Sequence, residues 1–237
     1  MGQNDIFMAP FEVVTQHISR IDLSAERRKA ANDSILADVL GLDPVPIPDS
    51  GAPAHVRLFL YSTLELYHSY HRFSDYEIFL NRYPWRGKIS KQSHFAIAIF
   101  AILNESYVFE ARLKKFFESM RKSAAALNCK FPSQQCSQIL KAYHRTFRNF
   151  LRARGIHTHQ EDFQPPELKR LALIELLSGP AGMPGVKFAL PMAIRDLRKT
   201  WKKNNADAKT MVKEIMVASF RVTESIWSKL KLEQSSK

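Results

Sequence analysis

The sequence predicts an all-α protein. Apolar residues recur at three- and four-residue steps through most of the chain, and the strict alternation of a half-buried strand is nearly absent. Pro84 and Pro132 also bracket 47 residues that contain no proline, which leaves room for one long helix. We expect a helical bundle built on two long antiparallel helices, with additional helices at the N- and C-termini.

Residues 1–40 are predicted to be an N-terminal helical pair. The first helix is marked by Phe11, Val14, Ile18 and Ile21, and the second begins after Ser24 and runs to Leu40. Residues 41–53 contain four prolines and predict a stiff linker. The remaining residues, 54–237, are predicted to form one helical domain.

The helical domain begins with a helix over 54–82. The next helix is long, capped by Ser90, with apolar residues in a coiled-coil-like seam over 95–127. The KFPSQQ turn leads into a second long helix that begins near Ser137, and a turn this short favours antiparallel packing of the two. Three more helices are predicted over 165–178, 190–203 and 206–231, the last two separated at Asn204 and Asn205.

The composition is strongly basic. The chain carries 35 Lys and Arg against 23 Asp and Glu, a formal charge of +12, which favours a polyanionic partner such as nucleic acid. No apolar run approaches the roughly 20 residues that a bilayer-spanning helix needs, and we expect no membrane partner. The absence of a signal-peptide pattern and the presence of only Cys129 and Cys136 predict a cytoplasmic protein without a disulfide framework.

Common cofactor and catalytic motifs are absent from the sequence. It contains no GxGxxG, no GxxxxGK[ST] and no GxSxG, and we expect no cofactor. Glu65, His68 and His71 form one ExxH pair with a further histidine, but a di-iron bundle needs two such pairs. His157 and His159 have no nearby residues that would complete a zinc site, so no metal site is predicted.

The most informative stretch is SQILKAYHRTFRNFLRARGIHTHQ, residues 137–160. Its apolar residues predict a helix, and Gly155 is a candidate C-cap. A second stripe places four cations on one face, with no acid between Lys141 and Glu161: Lys141, Arg145, Arg148 and Arg152. Beyond Gly155 come two imidazoles, His157 and His159, which can move protons near neutral pH beside arginines that can hold a phosphate.

The segment RNFLRARGIHTH resembles the Arg-x(4–6)-His motif of the HEPN superfamily. The resemblance covers roughly residues 90–178. It implies an all-α homodimer in which the motifs of two protomers form one cleft. It also implies RNA as the partner and, for many members, metal-independent endoribonuclease activity in toxin–antitoxin, phage-defence or CRISPR systems, with a possible antitoxin or regulatory protein partner.

Three registers fit the motif. Arg152 is separated from His157 by four residues and from His159 by six, and Arg154 is separated from His159 by four. The resemblance therefore implies Arg152, His157 and His159 as the catalytic residues. Arg148 and Asn149 match the Arg-polar start that the family favours, and the predicted RNA-binding residues are Lys141, Arg145, Arg148, Asn149 and Arg154.

Two alternatives stay open at this point. A non-catalytic nucleic-acid-binding module would use the charge of the chain and a second basic run, which contains Arg195, Arg198, Lys199, Lys202 and Lys203. A helical interaction protein would bind its partner through the seam over 95–127 or through the terminal helices. A structural interpretation also stays open, in which Arg145, Arg148 and Arg152 form an ordinary solvated face or pair with the acids of the neighbouring helix, Glu105, Glu110 and Glu118.

Overall fold

A computed structural model describes residues 3–20, 53–82, 89–159, 165–178 and 183–235, and within these ranges it contains helices and no strand. The predicted all-α class is confirmed. In chain order the helices are α1 (Gln3–Arg20), α2 (Ala54–Asn81), α3 (Lys91–Ala126), α4 (Ser133–Thr146), α5 (Arg148–His159), α6 (Pro166–Leu177), a 3₁₀ turn (Pro184–Phe188), α7 (Ala189–Val222) and α8 (Glu224–Ser235). The predicted helix over 25–40 and almost all of the proline-rich linker lie outside the described residues.

The bundle is organised around a hairpin of α2 and α3, which form the most extensive helix pair in the described chain. Residues early in α2 contact residues late in α3, so the two helices are antiparallel. The Ser123 hydroxyl donates to the His55 carbonyl at 3.3 Å, and at the opposite end of the hairpin His94 Nε2 lies 2.9 Å from the Phe79 carbonyl oxygen. The long helix predicted between Pro84 and Pro132 is therefore present, but its main partner precedes it in the chain.

A local cap and a carboxylate from another helix fix the start of α3. The Ser90 hydroxyl accepts a hydrogen bond from the Ser93 amide at 3.0 Å, which confirms the predicted N-cap. The Glu175 carboxylate of α6 accepts from the Lys91 and Gln92 amides at 2.9 and 2.8 Å. A carboxylate at this position satisfies two otherwise unpaired amides and opposes the positive end of the helix dipole, so α6 is attached to the start of α3.

α7 packs against the hairpin as a third long helix. Phe220 is fully buried, and its ring contacts the rings of Tyr67 and Phe116 with centroids 5.9 and 5.5 Å apart. The predicted break at Asn204 and Asn205 is wrong, because α7 continues through both residues. The buried Asn205 side-chain amide donates to the Phe73 carbonyl at 2.6 Å. This interhelical bond favours asparagine inside a helix that its local propensity disfavours.

A buried ion-pair cluster connects α2 with α3. Glu105 is 1% exposed, and its carboxylate accepts hydrogen bonds from Arg72 at 3.0 Å and from Arg112 at 2.6 Å. The Tyr76 hydroxyl also lies 3.3 Å from this carboxylate. The hydrogen bond to Glu105 raises the pKa of the Arg72 guanidinium, and burial, followed by the Glu105 charge, raises the pKa of Tyr76 to about 12. Both shifts favour the protonated forms of Arg72 and Tyr76 beside the Glu105 carboxylate.

We expect Glu105→Gln to destabilise the protein by about 2–3 kcal/mol, because it leaves two arginines facing a neutral amide at a buried position. The estimate is at the low end of the range for broken buried ion pairs because the Arg72 side chain is 49% exposed and water can solvate it again. Urea unfolding followed by circular dichroism measures the change.

The matched control is Glu118→Gln, which removes an exposed carboxylate that pairs with Arg121 on the same helix. Solvent screens this pair, so the control is expected to unfold at the wild-type urea concentration. Equal urea midpoints for the two variants would contradict a stabilising role for the Glu105 cluster.

Candidate nucleic-acid interface

The predicted second long helix consists of two segments that meet at Phe147. α4 ends at Thr146 and α5 begins at Arg148, with φ −91° and ψ 9° at Phe147 between them. The Phe147 amide nevertheless donates to the Tyr143 carbonyl at 2.8 Å, and its carbonyl accepts from the Leu151 amide at 2.9 Å. The Phe147 ring is buried and stacks on the Tyr143 ring. The chain therefore bends at a core residue while helical hydrogen bonding continues across the bend.

The cations of this kinked helix form an exposed face. Four of the five residues that the sequence predicts to bind RNA are solvent-exposed: Lys141, Arg145, Arg148 and Asn149. The predicted catalytic arginine, Arg152, is exposed as well. We call the four cations among them, Lys141, Arg145, Arg148 and Arg152, the α4–α5 cation face. No carboxylate in the described part of the chain pairs with these four side chains.

The acids of α3 are paired with other cations, so the alternative in which they neutralise the α4–α5 cation face is wrong. Glu105 pairs with Arg72 and Arg112. Glu110 pairs with Lys114 and also lies 3.3 Å from the His144 imidazole. Glu118 pairs with Arg121 and Lys122. The cations of α4 and α5 therefore keep their full field toward solvent.

Arg154 differs from the other predicted RNA-binding residues. It is partly buried, and its guanidinium carbon lies 3.6 Å from the centre of the Tyr107 ring of α3. Attraction to the negative face of the ring holds this arginine against the bundle. We infer that Arg154 helps to attach α5 to α3 and is less accessible to a ligand than Arg152.

α5 does not end at the predicted cap. It continues past Gly155 to His159, and Gly155 is not in the left-handed conformation. With 3.6 residues per turn, position 159 lies about 20° from position 152 around the helix axis, whereas position 157 lies about 140° away. The Arg152/His159 register therefore shares one helix face, and the other two registers do not. The His157 and His159 side chains lie outside the described part of the structure.

His144, which the sequence predicts as a helix-surface residue, lies on the surface of α4 and is a further imidazole in this region. It is half-exposed on α4, beside Arg145 in the chain, and its Nε2 lies 3.3 Å from a carboxylate oxygen of Glu110. The Lys114 ammonium donates to the same oxygen. The sequence separates His144 and Glu110 by 34 residues, and only the packing of α4 on α3 brings them together.

Two other side chains in this region are poor nucleophiles near neutral pH. Burial raises the pKa of the Cys136 thiol to about 11. Burial also raises the pKa of the Tyr143 hydroxyl, which donates to the Ser106 carbonyl. The chemistry available on α4 and α5 is therefore that of imidazole and guanidinium groups.

No metal site is found among the described residues, which contain no cluster of three potential ligands. Glu65 of the ExxH pair binds Lys115 at 2.9 Å, and His68 and His71 are exposed on α2. The second basic run lies on α7, where Arg195, Lys199, Lys202 and Lys203 are exposed. Among the helices described, none is long and apolar enough to cross a bilayer.

Comparison with known proteins adds no assignment: no protein-family model, no curated protein and no solved structure matches this chain.

Gly155→Ala tests the path of α5. Because a Cβ at Gly155 would meet no atom within 4 Å and the backbone is not left-handed, alanine should stabilise the protein by about 0.5–1 kcal/mol. The measurement is the free energy of unfolding in urea, with Ala153→Gly as the opposite substitution on the same helix. A destabilising Gly155→Ala would show that residue 155 ends the helix.

Proposed function

We propose that this chain is a HEPN-like RNA-acting protein whose α4–α5 cation face holds the RNA backbone. The observation that carries the proposal is the row of four exposed cations without a described counter-charge, on a helix that continues to the two predicted histidines. Lysine and arginine in such a row neutralise successive phosphates, and release of the phosphates' counterions drives binding. The side-chain amide of Asn149, which is exposed beside Arg148, can donate to phosphate or sugar oxygens of the same strand.

Within this proposal, Arg152 and His159 are the catalytic pair. The imidazole of His159 accepts the proton of a ribose 2′-hydroxyl, whose oxygen attacks the adjacent phosphorus atom. The Arg152 guanidinium binds the phosphate oxygens and stabilises the added negative charge. A protonated imidazole donates to the departing 5′-oxygen, which leaves a 2′,3′-cyclic phosphate and a 5′-hydroxyl. In the homodimer that the HEPN resemblance implies, the partner protomer supplies this second imidazole.

The choice of His159 over His157 follows from helical geometry. Positions 152 and 159 are two turns apart on one face of α5, so both residues can approach one phosphate group. For His157 to approach the same phosphate as Arg152, the helix would have to unwind after Gly155. The two histidines are thus distinguishable by mutation.

The second candidate function is non-catalytic binding of nucleic acid. It is favoured by the cations of α7, which add a basic surface outside the α4–α5 cation face. This function predicts salt-dependent affinity without product formation.

The test is incubation of the purified protein with RNA in EDTA. We expect cleavage to products that end in cyclic phosphate, and a loss of about 100-fold or more in rate for Arg152→Ala and for His159→Ala, because each removes a group that acts in the transition state. Lys141→Ala should instead raise the RNA concentration needed for half-maximal rate, since it removes a phosphate contact.

The matched control is His68→Ala, which removes an exposed histidine from α2 and should leave the rate unchanged. A rate lost in His157→Ala and retained in His159→Ala would reverse the choice of register. If both histidine variants and their double mutant cleave like wild type, the nuclease mechanism is wrong; binding without any cleavage would leave the second candidate.

A further inference from the structure

The start of α7 carries a second exposed stripe that the proposed catalytic site does not use. Phe188, Met192, Arg195, Lys199 and Lys202 follow one another at steps of four, three, four and three residues, which places them on one side of the helix. Phe188 is 83% exposed and Met192 is 52% exposed. The side chain of Arg195 is 74% exposed. An aromatic ring thus stands at one end of a row of cations.

The cations of this stripe border a surface groove of about 480 Å³. Its lining consists of Arg195, Arg198, Lys199 and Lys202 together with Pro191 and Ile194. We call these four cations the α7 cation groove. The groove is open to solvent and has the length of several helical turns, which suits an extended anionic chain better than a compact small molecule.

Arg198 is held in place within this groove. Its guanidinium carbon lies 5.5 Å from the centre of the Phe95 ring of α3, and its Nε atom is buried without a hydrogen-bond partner among the described residues. A buried donor without an acceptor is unusual in a folded protein and calls for an acceptor that the described residues do not supply. Asp196 is the nearby carboxylate, and it pairs with Arg170 at 3.8 Å and Arg195 at 3.9 Å. Arg198, Lys199 and Lys202 have no recorded counter-charge within the described chain.

The chain path keeps this groove near the end of α5. The Arg170–Asp196 pair sets α6 beside the first turns of α7. α5 ends at His159, and Pro165 at the N-cap of α6 is six residues further on, so their Cα atoms are at most about 22 Å apart. The end of α5 and the first turns of α7 are therefore close enough for one single strand to reach both.

We propose that the α7 cation groove is a second site for single-stranded RNA, which binds the nucleotides that flank the segment on the α4–α5 cation face. The inference rests on the proposed RNA-acting function. Arg198, Lys199 and Lys202 contact successive phosphates, and Phe188 stacks on an unpaired base. Single-stranded RNA fits better than a duplex because the bases of a duplex are stacked on each other and cannot cover an exposed phenylalanine.

The test uses 2′-O-methyl oligouridylates, which the proposed mechanism cannot cleave, in lengths of about 5 and about 20 nucleotides. Fluorescence anisotropy gives the affinity of the full chain for each oligonucleotide at several salt concentrations. The groove variant is Arg195→Ala/Lys199→Ala/Lys202→Ala. The matched control, Arg121→Ala/Lys122→Ala/Lys130→Ala, removes the same charge from exposed positions on α3 and the turn that follows it.

For the 20-nucleotide strand, the groove variant should bind about 10-fold or more weakly. The slope of log affinity against log salt should fall by about 1.4, at roughly 0.7 for each of the two phosphate contacts removed, those of Lys199 and Lys202. The control should stay within about 2-fold of wild type. Phe188→Ala should lower affinity without changing the salt slope, because stacking releases no counterions. Affinity for the 5-nucleotide strand should change little in the groove variant.

Equal losses in the groove variant and the control would overturn the proposal, since charge alone would then explain binding. It would also be overturned if the groove variant and Phe188→Ala keep wild-type RNA affinity and lose only binding to vesicles that contain anionic phospholipid. If wild type binds RNA through the groove and cleaves none, the groove stands and the nuclease function fails. If wild type cleaves RNA and the groove variant binds the long strand like wild type, the groove fails and the nuclease function stands.

Discussion

The architecture depends on one buried carboxylate. Glu105 lies inside the α2–α3 hairpin and accepts hydrogen bonds from Arg72 of the neighbouring helix and Arg112 of its own. A buried charge that loses a partner is strongly destabilising. Sliding α3 by one turn along α2 would separate Glu105 from Arg72 and would therefore destabilise the hairpin. The hairpin register that satisfies Glu105 is also the one that places Tyr67 and Phe116 together against Phe220 of α7.

This internal pairing also determines where the excess positive charge lies. Each of the three acids of α3 pairs with a cation of α2, α3 or α4. Those acids are then unable to neutralise the exposed cations of α4, α5 and α7. The exposed cations of α4, α5 and α7 therefore lack partners among the acids of α3. This arrangement follows from packing, because the sequence alone permits Arg145, Arg148 and Arg152 to reach the same acids.

Periodicity and capping signals were sufficient for the helices whose ends depend on local chemistry. Ser90 at the start of α3 and Pro166 in the first turn of α6 are examples, since an N-cap and an N-terminal proline act within one turn. The sequence could not identify the main partner of α3, because that choice depends on which faces meet across long separations. The same holds for Asn205, whose amide finds the Phe73 carbonyl 132 residues away, and for Arg154, which lies on Tyr107. The sequence also left open whether the α4–α5 cations pair with the acids of α3, because that choice depends on how the helices pack.

The structure separates two kinds of arginine, and the difference bears on what each can do. Arg148 and Arg152 are exposed, and such side chains can follow a phosphate but must be ordered when it binds. Arg154 and Arg198 are held against aromatic rings of α3, Tyr107 and Phe95. Catalysis requires groups placed within about 0.5 Å of the productive geometry, whereas strand binding tolerates looser placement. A catalytic role for Arg152 therefore requires a second protein surface that holds its guanidinium against the substrate. In a HEPN-like dimer, the facing protomer would supply that surface. Binding in the α7 groove has no such requirement, since Phe95 of the same chain already holds Arg198.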